Sequence, residues 1–85
     1  MEMVILQTKT EKIKLVLDSD RYCNENGETY IGYGFTAYRT HPLRVVYSIR
    51  DLSTDADEVR DLMQRIVDFD VSLVHFQDLV EDFCV

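Results

Sequence analysis

The chain is poor in the residues that build special architectures. It has no tryptophan, one proline, three glycines and two cysteines among 85 residues. So little proline and glycine leaves no composition for a linker or low-complexity tail. One cysteine pair is too few for a disulfide framework, and Cys23 and Cys84 form no CxxC motif that would suggest metal or redox chemistry. Carboxylates beside Cys84 (Glu81, Asp82) disfavour a reactive thiolate. No apolar run approaches the ~18–20 residues that span a bilayer. Met1-Glu2-Met3 offers no basic stretch ahead of an apolar one, so no secretory signal is expected and the cytoplasm is the expected compartment. Positive charge is also scarce. Nine basic residues against sixteen acidic ones give a net charge of −7, which argues against nucleic acid as a general partner.

What is present is 46% hydrophobic and 29% charged, the composition of one small globular domain over residues 1–85. Charge divides the chain. Residues 1–50 hold seven basic and six acidic side chains, whereas residues 51–85 hold two basic and ten acidic. The hydrophobic period changes at the same place.

The first half alternates with period two, as strands do. Val4 and Leu6 alternate with Ile5 and Gln7; Ile13, Leu15 and Leu17 with Lys12, Lys14 and Asp18. Ile31, Tyr33, Phe35 and Ala37 alternate with Tyr30, Gly32, Gly34, Thr36 and Tyr38; Val45, Tyr47 and Ile49 with Arg44, Val46, Ser48 and Arg50. Residues 7–11, 18–28 and 40–43 are the expected connections, with Asn26-Gly27 and Pro42 as turn formers. One apolar and one mixed face per strand predicts an antiparallel sheet covered on one side.

The second half follows helical spacing. Ser53, Thr54 and Asp55 are N-cap residues, and Asp55 stands three before Glu58, as in a capping box. Val59, Leu62, Met63 and Ile66 form an apolar stripe, and Phe76, Leu79, Val80 and Phe83 form a second. Residues 69–73 connect the two. The expected fold is α+β: a four-stranded antiparallel sheet with two C-terminal helices packed on one face, a ββββαα two-layer sandwich. The expected core is Leu6, Ile13, Leu15, Leu17, Ile31, Tyr33, Phe35, Val45, Tyr47 and Ile49 from the sheet, with the two helical stripes.

The C-terminal stretch, Asp51-Leu52-Ser53-Thr54-Asp55 followed by Val71 to Phe83, resembles a family of small uncharacterised proteins from anaerobic Gram-positive bacteria, classed as a domain of unknown function. Tyr33-Gly34-Phe35 is a shorter echo, and Leu73 departs from the proline of the family pattern. The resemblance implies short strands running into two terminal helices. It implies no activity and no catalytic residue.

No catalytic, cofactor or metal-binding constellation stands out. His75, Asp78 and Asp82 share a helical face but lack further ligands, and neither His41 nor His75 sits in a nucleophile motif. Gly32-Tyr33-Gly34 lacks the third glycine and following helix of a phosphate loop. The acidic helical face reads as solvated surface or as a docking face for a basic partner.

The outer face of the sheet is more informative. Tyr30, Gly32, Gly34, Thr36 and Tyr38 carry no charge across nine residues, with Val16 and Val46 extending that area and Lys12, Lys14, Arg44 and Arg50 as a rim. An uncharged centre with a polar rim is how interfaces are built. These five residues are the candidate interface of a non-catalytic interaction or regulatory domain, with a second copy (a homodimer) or another protein as partner. The alternatives are single-stranded nucleic acid stacked on the tyrosines, with Lys12 and Lys14 at phosphates, and a small enzyme. The bland account is that both glycines only accommodate a bulged strand.

Overall fold

The computed structural model describes residues Val4 to Cys84. Four strands, β1 (Ile5–Gln7), β2 (Lys14–Cys23), β3 (Thr29–Thr40) and β4 (Leu43–Ser53), form one antiparallel sheet in sequence order. Two helices follow, α1 (Ala56–Asp68) and α2 (Phe76–Phe83), joined through a single 3-10 turn at Leu73–His75. The α+β architecture is the one the sequence pattern predicts.

The core lies between the sheet and the helices. Ile13, Leu15, Phe35 and Ala37 from the sheet side meet Val59, Leu62, Met63, Ile66, Phe76 and Val80 from the helical stripes. Tyr47 links the layers, tilted against Phe35 and edge-on to Phe76, while its hydroxyl donates to Gln77 at 2.8 Å.

The local signals for α1 work as their chemistry suggests. Asp55 is the N-cap and its carboxylate accepts the Asp57 N–H. Glu58 does not reach back to Asp55. It takes the Ser53 hydroxyl instead, and the Ser53 oxygen accepts the Asp55 N–H. The far end closes with Val71 N–H on the Ile66 carbonyl and Asp70 N–H on the Val67 carbonyl, around Asp70 in the left-handed region. This is the arrangement that usually calls for glycine. Asp70 stands there because its carboxylate takes up the Lys9 and Thr10 N–H groups and the Thr10 hydroxyl, clamping the β1–β2 turn. Glu11 makes a parallel tie, accepting the Leu73 N–H at 2.8 Å and the Arg39 guanidinium at 2.9 Å.

Three sequence expectations need correction. The second strand does not stop at residue 18. It runs to Cys23, and the connection shrinks to a turn that Asn24 holds by accepting the Asn26 and Glu28 N–H groups. Val45 is not core, being 61% exposed. A register shift between Ala37 and Tyr38 sets it opposite Tyr38 on the outer face, and Val46 packs against the core instead. Ile31 lies beyond the helical cover and is 43% exposed.

Candidate functional site

The outer face of the sheet is built by pairing register. Tyr30, Gly32, Gly34, Thr36 and Tyr38 on β3 stand opposite Tyr22, Asp20, Asp18, Val16 and Lys14 on β2. Paired residues share a face, so extending β2 to Cys23 brings two carboxylates and a tyrosine beside the glycines. On the other flank, Thr36 pairs with Ser48 and Tyr38 with Val45.

Between Tyr33 and Phe35 the register of β4 jumps from Ser53 to Ile49. Arg50, Asp51 and Leu52 thus bulge out opposite Gly34 alone, with Asp51 in the left-handed region. The bulge brings β4 so close that a Cβ on Gly34 would land on the Ile49 carbonyl oxygen, 2.9 Å from its carbon and 3.0 Å from Arg50 Cα. Glycine at 34 is therefore demanded by the close approach of two backbones, as in the bland account. Gly32 differs. A Cβ there would meet the Asp51 carboxylate and, at 2.9 Å, the Tyr22 ring.

The result is an open trough of about 280 Å³, floored by Gly32 and Gly34 and walled by Asp18, Asp20, Tyr22, Thr36, Arg50 and Asp51. Its walls are tied together. The Thr36 hydroxyl donates to Asp18, and the Tyr30 hydroxyl donates to Asp51 at 2.7 Å. Asp20 accepts the Arg21 N–H at 2.8 Å. Tyr22 and Tyr30 stack with ring centroids 5.7 Å apart. Donation to Asp51 pushes the Tyr30 phenol above its ordinary range, since ionising it would lose that bond and set two negative charges together.

The five candidate residues thus share one face, but the uncharged area is smaller than the sequence suggests. Asp18, Asp20 and Asp51 occupy the trough end, which sets negative charge beside the Tyr22–Tyr30 pair on which bases would stack. Uncharged side chains dominate the other end, where Ile5 (47% exposed) pairs with Val16, Val45 (61%) pairs with Tyr38, and Leu43 (75%) lies one step further, with Lys14 on the other side of Tyr38. Of the four expected rim cations, Lys14 and Arg50 are on this face. Arg44 pairs with Arg39, whose guanidinium turns to Glu11, and Lys12 precedes β2 in a left-handed conformation.

The turn signal alone misplaces the missed residues: a two-residue Asn26-Gly27 turn would pair Cys23 with Tyr30 and Asp18 with Phe35, whereas closure at Asn24–Glu28 makes a three-residue loop and pairs Cys23 with Thr29 and Asp18 with Gly34. Asp51 had no signal either, because it depends on the bulge.

Among the described residues, no group of three or more His, Cys, Asp or Glu side chains is placed to hold a metal ion. His75 is exposed and lies 3.8 Å from Asp78, and His41 is in the β3–β4 turn. Both cysteines are exposed and unpaired. No helix among the described residues is long and apolar enough to cross a membrane.

Searched against protein families, curated proteins and solved structures, the chain matches none. The resemblance of residues 51–85 to a family of unknown function gains no support from these searches.

Proposed function

We propose that this chain is a non-catalytic, cytoplasmic protein-interaction domain whose contact surface is the outer face of the sheet. The observation that supports the reading is the exposure of Leu43 and Val45 beside Tyr38, and of Ile5 beside Val16, on the one sheet face that the helices do not cover. Exposed apolar and aromatic side chains with polar ones around them mark contact sites. The trough suits a protein surface better than a small substrate. At about 280 Å³ it is open and lies just below the roughly 300–1,000 Å³ range of ligand pockets.

The test is site-specific photo-crosslinking in the native cell. Benzoylphenylalanine replaces Tyr38 on the outer face or Gln64 on the exposed side of α1. Position 38 is expected to give a discrete adduct and position 64 none. Absence of an adduct at 38, or equal adducts at both, would remove the reading.

A further inference from the structure

We infer that the outer face is self-complementary and binds a second copy of this chain, with Tyr38 of each copy entering the glycine trough of the other. This rests on the outer face being the contact surface, and it names the partner.

The argument is one of symmetry. Across the sheet, residues line up in rows. The central row is Ile5, Val16, Thr36 and Ser48. One step along the strands lies the row Gln7, Lys14, Tyr38 and Val45. One step the other way lie Asp18 and Gly34, beside the bulge that carries Arg50 and Asp51.

A two-fold axis along the central row turns one sheet face onto another, strand over strand, and exchanges the two flanking rows. The uncharged central row then meets itself. Lys14 of each copy lies over Asp18 of the other, a cation over an anion. Tyr38 lies over the trough beside Gly34, where the Ile49 carbonyl takes the Cβ position and the open space is walled by Tyr22, Arg50 and Asp51. Its ring enters the trough, and its hydroxyl arrives as a donor among the Asp18, Asp20 and Asp51 carboxylates. One interface thus repeats the same charge pair and the same ring-into-trough fit twice, as an isologous dimer requires. The alternative axis, parallel to the strands, sets the acidic end of one copy on the acidic end of the other. The charges select the first.

Size is compatible. Five rows ~6.7 Å apart on β2, β3 and β4, ~4.8 Å apart, with two rows on β1, give roughly 550 Å² per copy. The total of about 1,100 Å² lies just above the ~1,000 Å² that a specific contact needs. Packed sheets settle about 30° from parallel and ~10 Å apart, which long side chains such as Lys14 and Tyr38 bridge.

Sedimentation equilibrium of the wild-type chain is expected to give twice the 10.0 kDa monomer mass. Lys14→Glu and Asp18→Lys should each weaken the dimer by roughly tenfold or more, because each reverses two symmetry-related pairs. The Lys14→Glu/Asp18→Lys double variant should recover most of the loss, which a merely destabilising substitution would not do. Tyr38→Ala should weaken the dimer without rescue by either charge change. In a mixed-label sample, isotope-filtered NMR should show intermolecular contact between the Tyr38 ring and the Gly34 α-protons. A wild-type chain that stays monomeric at its highest soluble concentration overturns the inference. So does a double variant no better than the singles, or a dimer without the Tyr38–Gly34 contact. If crosslinking at position 38 captures only other proteins and the pure chain is monomeric, the interaction reading stands and the second copy is excluded.

Discussion

Gly34→Ala separates a glycine kept for backbone approach from one that is merely small. In an ordinary strand interior, replacing glycine by alanine gains roughly 0.5–1 kcal/mol, because the unfolded chain has less freedom to lose. At position 34 the new Cβ would fall on the Ile49 carbonyl oxygen, with the carbonyl carbon at 2.9 Å and Arg50 Cα at 3.0 Å. These are backbone atoms held by the β3–β4 ladder, so no rotamer change clears them. Overpacking of this kind costs about 1–3 kcal/mol. Set against the ordinary gain, a net loss of about 1–2 kcal/mol is expected, which lowers Tm by roughly 4–16 °C in a domain this small. Gly32→Ala is the internal control. Its Cβ meets the Asp51 carboxylate and the Tyr22 ring, side chains that rotate away, so the loss should stay below about 1 kcal/mol. Urea unfolding followed by circular dichroism measures both, at one low protein concentration so that association does not add to either. A Gly34→Ala variant as stable as wild type, or less affected than Gly32→Ala, refutes the reasoning.

Phe76→Ala, which empties a fully buried site between Tyr47 and the α1 stripe, should cost about 3–5 kcal/mol in the same assay. Val45→Ala should change stability by less than about 0.5 kcal/mol, whereas Val46→Ala should cost about 1 kcal/mol; the reverse order would restore Val45 to the core. Glu11 is held below the usual carboxylate range by the Ser72 hydroxyl, the Leu73 N–H and Arg39, and Asp70 by the Thr10 hydroxyl and N–H and the Lys9 N–H. Both unfolded-state values near 4 lie above the folded ones, so the stabilisation is complete above about pH 5 and is lost as pH falls through the folded values. Asp70→Asn should therefore flatten the acid limb of a stability–pH profile; an unchanged slope would show that the clamp is not electrostatic. Tyr30 should titrate above an ordinary phenol by ultraviolet difference spectroscopy and return toward it in Asp51→Asn.

Much of the fold was legible because the two halves carry different hydrophobic periods, and a period is a local property. The α1 stripe lies in the core as its spacing requires, and Asp55 caps because a carboxylate at that place meets free N–H groups. The candidate interface was legible in part. Period two alone puts Tyr30 through Tyr38 on one face, and the structure keeps them there. The length of β2 was not read, because Asp18 to Arg21 look like loop when polarity is taken for disorder. In a sheet open on one side, polar residues are expected on the outer face.

The chain's own order of residues settles the strand count, the antiparallel sense, the helices and the buried side of each, since these follow from side-chain spacing and from turns of a few residues. The charge of the outer face was settled only in three dimensions. Asp18 and Asp20 join the glycines through a register that runs out from the turn at Asn24–Glu28, and Asp51 joins them through a bulge in a strand seventeen residues beyond Gly34. A bulge is a compromise between two strands, so neither strand's sequence encodes it alone. The same compromise sends Val45 outward, Val46 inward, and leaves Gly34 as the residue whose missing side chain lets the two backbones meet.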